Sequence, residues 1–104
     1  MLERRRAPRY PVSLEAEVTE VESGAKLSGR TSDVSRLGCY IDTITPSPNG
    51  TKIVVRLKHS DEIFQTGAVV IYSSQGLGMG VAFTNFSPDQ QALLDGWLAT
   101  VSVS

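Results

Sequence analysis

The sequence has very few of the residues on which disulfide and zinc chemistry depend. Its 104 residues include one cysteine, Cys39, and one histidine, His59. A single cysteine excludes an internal disulfide, and one Cys with one His excludes a Cys/His zinc site. The acidic residues show no metal-loop spacing either. We therefore expect no metal ion and no cofactor.

Long apolar runs are also absent. No stretch approaches the roughly 18 apolar residues that a membrane span requires. The N-terminus is basic, MLERRRAPRY, but it lacks the apolar segment of a secretory signal. We therefore expect a cytoplasmic location and no insertion into a membrane.

Motifs of the common enzyme classes are missing as well. No serine lies in a G-x-S-x-G motif, and His59 lies in LKHS at the end of an apparent strand. The glycines of GLGMG, residues 76–80, lack the Lys-Ser/Thr of a phosphate-binding loop and lead into a strand. A turn with close backbone packing explains them better. We predict that the protein is not an enzyme.

The near-neutral net charge of −1 hides an uneven distribution. The first ten residues carry four arginines and one glutamate, a local charge of +3. The other 94 residues carry six bases and ten acids, a charge of −4. The sequence therefore predicts a basic arm over residues 1–10 and an acidic body over residues 11–104.

Alternation of apolar and polar residues organises most of the body. It is clear over residues 12–18, 53–58 and 79–83, and it is typical of strands with one buried face. Residues 67–72 (GAVVIY) and 37–42 (LGCYID) are rich in residues that favour strands. Turn residues separate these segments. Five or six short strands at this spacing indicate a small barrel or sandwich.

The end of the chain changes to a helical period. Ser87 suits an N-cap, Pro88 suits the first helical position, and Gln90 completes a capping-box pattern. The pattern predicts a helix at about 88–101 that either covers one end of the barrel or docks another protein. Its apolar stripe consists of Leu93, Leu94, Trp97, Leu98 and Val101.

Two segments are candidates for ligand binding. Pro8 and Pro11 prevent a continuous helix through the arm, so its arginines lie on extended or turn-like chain. In extended chain, Arg5 and Arg9 are up to about 13 Å apart, at about 3.3 Å per residue over four steps. Guanidinium groups bind phosphate and the O6/N7 edge of guanine and stack on bases. A merely solvated arm, or one that binds nucleic acid or anionic lipid loosely, remains the alternative.

The second segment is DVSRLG, residues 33–38. Asp33 and Ser35 favour a self-bonded turn, and Gly38 permits positive φ or close approach of a ligand. A simple hairpin turn is the plainer interpretation. The other is that the carboxylate accepts from the N1–H and N2–H₂ donors of guanine. The arm would then bind the hydrogen-bond acceptors of a guanine nucleotide, and the turn would bind its donors.

The order and spacing of these segments resemble a known family. Arg5-x-x-x-Arg9 followed by Asp33-x-Ser35-x-x-Gly38 resembles the two-part signature of PilZ domains. The later GAVV and GMGVAF also resemble that family's closing strands, so the resemblance covers nearly all of the chain. It implies a six-stranded antiparallel β-barrel with a C-terminal α-helix. It also implies a bacterial receptor for the second messenger cyclic di-GMP.

The resemblance assigns roles to individual residues. Arg5 and Arg9 would engage guanine and phosphate from the arm. On the barrel surface, Asp33, Ser35 and Gly38 would hold the ligand. The arm would order over the ligand and create a surface for a downstream protein or a fused effector domain.

Three further residues receive weaker assignments. Arg4 occupies the position that the family associates with two stacked ligand molecules, so we expect a two-ligand site. Arg6 would add a phosphate contact. Tyr72 would stack on a base, although a packed or half-exposed strand tyrosine is the simpler interpretation.

Two rival functions remain open. One is a PilZ-like adaptor that binds a protein through the Trp97 face of the helix and binds no nucleotide. The other is a binder of nucleic acid or anionic membrane that acts through the arm. Both halves of the signature are intact, which favours cyclic di-GMP over the adaptor. The acidic body would repel a long polyanion, so we expect no nucleic-acid polymer as partner.

Overall fold

The barrel is assembled from six antiparallel strands. The computed structural model describes residues 8–84 and 87–102. Its elements are β1 (Glu15–Glu20), β2 (Lys26–Val34), β3 (Gly38–Asp42), β4 (Lys52–His59), β5 (Glu62–Ser74), β6 (Gly78–Phe83) and α1 (Pro88–Ser102). Neighbouring strands follow the order β1-β2-β3-β6-β5-β4, and β4 pairs with β1 to close the barrel. The predicted fold, a six-stranded antiparallel barrel with a C-terminal helix, is confirmed.

Alternation along the strands fills the barrel with apolar side chains. In β4, Ile53, Val55 and Leu57 are almost fully buried, while Arg56 and Lys58 between and after them face solvent. Phe64 of β5 and Met79 of β6 are completely buried in the same core. Burying one such side chain stabilises the fold by about 1.5–3 kcal/mol, so this interior is the main source of stability.

Strand β2 is the element that the alternation did not reveal. Its sequence, KLSGRTSDV, is mostly polar, and the inward position in its second half is held by Thr31, which is 1% exposed. Thr31 Oγ1 donates to the Val12 carbonyl at 2.7 Å and accepts from the Leu14 N–H at 2.9 Å. A buried hydroxyl with both bonds made carries no desolvation penalty, so a polar residue can occupy the core side here.

The same two bonds explain where the first strand starts. The alternation predicted a strand over residues 12–18, whereas β1 spans Glu15–Glu20. Val12 and Leu14 bond to the Thr31 side chain, and the Leu14 carbonyl also accepts from the Thr31 N–H, so these residues lie before β1. The segment that enters the barrel is therefore fastened to β2.

Helix α1 begins as the capping signal predicts. The Gln90 N–H donates to Ser87 Oγ at 3.2 Å, which confirms Ser87 as the N-cap. The Gln90 side chain does not complete a capping box, because its Oε1 accepts from the Gln65 N–H at 2.6 Å. The residue that was expected to bond within the helix thus ties α1 to β5.

The apolar stripe of α1 lies over one end of the barrel. Leu94, Trp97 and Leu98 are buried there. Trp97 Nε1 donates to Glu62 Oε1 at 2.7 Å, and its ring meets the His59 ring edge-on at 5.4 Å between centroids. The helix therefore covers the barrel, and the stripe has little surface left for a partner.

Within residues 8–84 and 87–102, no helix is long and apolar enough to cross a membrane.

Candidate functional site

A bulge in the hairpin of β2 and β3 sets the position of Asp33. Thr31 faces Ile41 and Asp33 faces Tyr40, so Ser32 is an extra residue without its own partner in β3. Such a bulge bends the strand and re-aims the side chain that follows it. Asp33 therefore belongs to the end of β2, whereas the sequence placed it in a turn, and its side chain remains 31% exposed.

Arg9 is bound to this carboxylate. Its Nη2 lies 3.0 Å and its Nε 3.3 Å from Asp33 Oδ1. The neighbouring residues pair through their backbones, because the Tyr10 N–H donates to the Val34 carbonyl at 2.9 Å and the Val34 N–H donates to the Tyr10 carbonyl at 3.0 Å. The structure thus brings together Arg9, the second arginine of the Arg5-x-x-x-Arg9 pattern, and Asp33, the first residue of DVSRLG.

Ser35 closes the hairpin turn instead of presenting its hydroxyl. Its Oγ accepts from the N–H groups of Leu37 at 3.1 Å and Gly38 at 3.2 Å. Its own N–H donates to the Gly38 carbonyl at 2.8 Å. With 7% of its surface exposed, Ser35 acts in this structure as a turn residue.

Gly38 is required by the approach of β6. A Cβ at this position would overlap the Val81 carbonyl oxygen, which the backbone cannot avoid without moving. The left-handed conformation that the sequence analysis allowed for Gly38 is not adopted; among the described glycines, Gly24, Gly50 and Gly76 have positive φ. The close contact at Gly38 is therefore with a neighbouring strand of the barrel.

Two tyrosines extend the Asp33 region across the barrel surface. Tyr40 pairs with Asp33 on one side and with Gly80 on the other, and Tyr72 also pairs with Gly80. The two rings are 6.4 Å apart between centroids. Gly80 leaves the space between them open, since the nearest side-chain atoms to a Cβ there would be 3.7 and 3.8 Å away. Asp33, Tyr40, Gly80 and Tyr72 thus form one continuous row over four strands, here called the tyrosine row.

Tyr40 is the member of the row that sequence reasoning missed. The sequence did contain a signal, because Cys39 and Ile41 on either side of it are apolar and buried, which places Tyr40 on the outer face. Tyr72 was singled out, and it is 56% exposed.

Local environment keeps two titratable groups of the hairpin neutral. Partial burial, with Tyr72 and Asp42 nearby, raises the pKa of Tyr40 above its ordinary value. Complete burial, followed by the negative charge of Asp33, raises the pKa of the Cys39 thiol far above its ordinary value. Tyr40 is therefore an uncharged ring at neutral pH, and Cys39 is a protonated core residue.

The remaining predicted contacts are not all visible. Arg4, Arg5 and Arg6 lie outside the described residues. Over the described ranges, no group of three or more His, Cys, Asp or Glu side chains could hold a metal ion. The visible part of the candidate site is thus the Arg9–Asp33 pair, the turn behind it and the tyrosine row.

Comparison with known families gives a match over nearly the whole chain. The model of the PilZ domain family matches residues 3–100. Comparison with curated proteins found no match.

Solved structures share the fold at low sequence identity. The PilZ domain of YcgR from Escherichia coli, solved with c-di-GMP, superposes with a TM-score of 0.80 at 18% identity, covering 96% of this chain and 92% of that chain. A YcgR structure in complex with c-di-GMP, from the same organism, gives 0.79 at 19% identity, covering 97% and 47%. The Bacillus subtilis inhibitor of motility, MotI/DgrA, gives 0.74 at 19% identity, covering 95% and 52%.

Proposed function

Because the chain belongs to the PilZ domain family, we propose that it is a receptor domain for cyclic di-GMP. In this proposal residues 1–10 order over the ligand, and the ordered arm and ligand form a surface for a downstream protein or a fused domain. The observation that carries it is the Arg9–Asp33 ion pair, which joins the two halves of the family signature. Structural similarity to two structures that contain c-di-GMP supports it.

The chemistry of the pair suits a guanine nucleotide. The Arg9 guanidinium is a planar donor for phosphate or for guanine O6 and N7. The Asp33 carboxylate is an acceptor for the N1–H and N2–H₂ groups of a guanine. Both bonds from Arg9 end on Oδ1, so among the described residues Oδ2 of Asp33 has no donor. A ligand that offers both hydrogen-bond donors and acceptors can therefore donate to Oδ2 while the bonds from Arg9 to Oδ1 stay in place.

The other arm residues extend this site. Arg5, up to about 13 Å from Arg9 in extended chain, supplies a second cation for guanine or phosphate. Arg4 provides for a second, stacked ligand molecule, and Arg6 adds a phosphate contact. These assignments rest on the family resemblance, since the three residues lie outside the described ranges.

The hairpin turn contributes through its shape. The Ser35 hydroxyl donates to the Gly38 carbonyl at 3.3 Å and accepts from the Gly38 N–H at 3.2 Å. We assign them the role of holding Asp33 and the turn backbone in place against the ligand. The tyrosine row supplies the stacking surface, with Tyr72 as the exposed ring and Tyr40 as the ring next to Asp33.

Isothermal calorimetry with cyclic di-GMP tests the proposal directly. Arg5→Ala and Arg9→Ala should each abolish measurable binding, because a hydrogen bond to a charged group contributes about 1.5–3 kcal/mol and several act together. The matched control is Arg56→Ala, which removes an arginine of similar exposure from an ion pair with Glu17 at 3.2 Å. Arg56→Ala should bind as the unmodified chain does.

The same titrations separate the rival functions. Single-stranded DNA at two salt concentrations should bind far more weakly than cyclic di-GMP. Equal and strongly salt-dependent binding of both would instead show that the arm acts as a nonspecific basic segment. Unchanged affinity for cyclic di-GMP in both Arg5→Ala and Arg9→Ala would overturn the assignment.

A further inference from the structure

The hairpin turn is connected to the helix by a second ion pair. Arg36 lies between Ser35 and Gly38, and its Nε is 3.3 Å from Oδ1 of Asp95 on α1. Both side chains are about half exposed. Of the ion pairs among the described residues, this is the one that joins the turn to α1.

Arg36 is also close to the proposed ligand site. Its Cα is about 3.8 Å from that of Ser35, as for any neighbours in a trans chain. Asp33, which binds Arg9, is three residues away. Three residues of chain span at most about 10 Å between Cα atoms, which is comparable to the roughly 10 Å over which charges interact at moderate salt. A dianionic ligand seated between the arm and the turn would therefore attract the Arg36 guanidinium away from Asp95.

We propose that Asp95 and the ligand compete for Arg36, so that binding of cyclic di-GMP releases α1 from the hairpin turn. This inference rests on the proposed function and adds one binding residue, Arg36, and one opposing residue, Asp95. The ligand gains a further cation, and α1 loses its ionic contact with the turn.

The other contacts between α1 and the barrel determine which part of the helix can move when Arg36 is released. On the β5 side, α1 is held by the bond from the Gln65 N–H to Gln90 and by the Trp97–Glu62 bond. On the other side, Trp97 shares a small cavity with Val34, whose backbone pairs with Tyr10 of the arm. Release of Arg36 therefore loosens the side of α1 that faces the arm and the turn, while the β5 side stays attached.

Thermodynamic reciprocity supplies the test. If the ligand weakens the Arg36–Asp95 pair, then removing the pair must strengthen ligand binding by the same factor. We expect Asp95→Asn to bind cyclic di-GMP about two- to fivefold more tightly than the unmodified chain, the range that exposed ion pairs support. Asp95→Glu, which can still pair with Arg36, should bind like the unmodified chain. The gain should shrink as salt is raised, because the pair is exposed.

The matched control is Asp89→Asn, which removes the same charge from the same helix. Among the described residues Asp89 forms no ion pair, so its affinity should not change. Trp97 is the chain's one tryptophan, and its fluorescence emission responds to a change in the packing of α1 against the barrel. Ligand should shift its emission in the unmodified chain and shift it less in Asp95→Asn, where the pair is already absent.

The outcomes are separable from those of the proposed function. If the unmodified chain binds no cyclic di-GMP, the proposed function fails. If it binds, but Asp95→Asn matches Asp89→Asn or binds more weakly than it does, competition for Arg36 is refuted and the receptor function stands. Thermal unfolding of each variant shows whether the fold is intact. A gain in the affinity of Asp95→Asn that is present at low salt and disappears at high salt supports the competition.

Discussion

Mutation of the Arg9–Asp33 pair should affect ligand binding much more than stability. The perturbation is a double-mutant cycle of Arg9→Ala, Asp33→Asn and the combined variant. The Arg9 side chain is 49% exposed and that of Asp33 is 31% exposed, so water and salt screen their attraction. Exposed pairs of this kind contribute about 0.2–1 kcal/mol to stability. For a domain of about 100 residues, 1 kcal/mol shifts Tm by about 4–8 °C, so each variant should melt within a few degrees of the unmodified chain.

The effect on binding is expected to be larger because both side chains contact the ligand in the proposed complex. Asp33→Asn removes charge-assisted bonds worth about 1.5–3 kcal/mol, which corresponds to a loss of about 10- to 150-fold in affinity. Arg9→Ala should bind below the detection limit of calorimetry, as proposed above. The cycle is therefore measured by equilibrium dialysis at low salt, where screening is least and affinities too weak for calorimetry are still resolved.

The combined variant tests whether the two residues act as one unit. Asp33 holds Arg9 in place, so a chain that lacks Asp33 has already lost part of the contribution of Arg9. The double substitution should therefore cost less than the sum of the two single losses, by about 0.5–3 kcal/mol. Equilibrium dialysis at low salt measures the affinities, and circular dichroism measures Tm. Strict additivity, or a Tm loss that accounts for the loss of binding, would refute the reasoning.

The remaining predictions concern the barrel beneath the site. Gly38→Ala should destabilise the fold by about 1–3 kcal/mol in chemical denaturation, because its methyl overlaps a β6 carbonyl; Gly80→Ala has room for its methyl and should keep Tm while weakening ligand binding. Cys39 should react with a thiol reagent only on unfolding, because burial raises its pKa and shields it. Trp97→Phe removes the hydrogen bond to Glu62 and should lower the free energy of unfolding by about 1.5–3 kcal/mol. The loss lies nearer the lower figure where water solvates the Glu62 carboxylate in the variant.

Most of the fold could be predicted from local patterns because the core is built from alternating apolar residues. β4 and β6 show that pattern directly, and the N-cap at Ser87 marked the start of α1. β2 could not be recognised, because one of its two buried positions is Thr31, whose hydroxyl is satisfied by Val12 and Leu14. That compensation depends on chain 17 to 19 residues distant in sequence, so no local window contains it.

The sequence indicates which two segments form the candidate site, but not the contacts that each of their residues makes within the barrel. The spacing of Arg9 and Asp33 within the family signature indicated that they act together, and the ion pair is consistent with that. Ser35 and Gly38 were expected to hold the ligand beside Asp33, and that role stays a prediction. What the pattern did not indicate is that Ser35 also closes the turn and that Gly38 also admits β6. Bulges and interstrand contacts decide these roles, and both depend on register, which residue spacing alone does not encode.

The two exposed ion pairs of the hairpin have a common consequence for how a ligand would enter. Arg9 is held by Asp33 and Arg36 by Asp95, and each pair is exposed enough to be weak. A buried pair would resist exchange, because separating it leaves an uncompensated charge away from water. Weak pairs place the cations beside the turn before the ligand arrives and limit the free energy needed to redirect them. In the proposed complex the ligand displaces Asp95 from Arg36, whereas Arg9 keeps its bonds to Oδ1 of Asp33, because Oδ2 has no donor among the described residues and can accept from the ligand. This difference between the two pairs is what would convert binding into a change at α1.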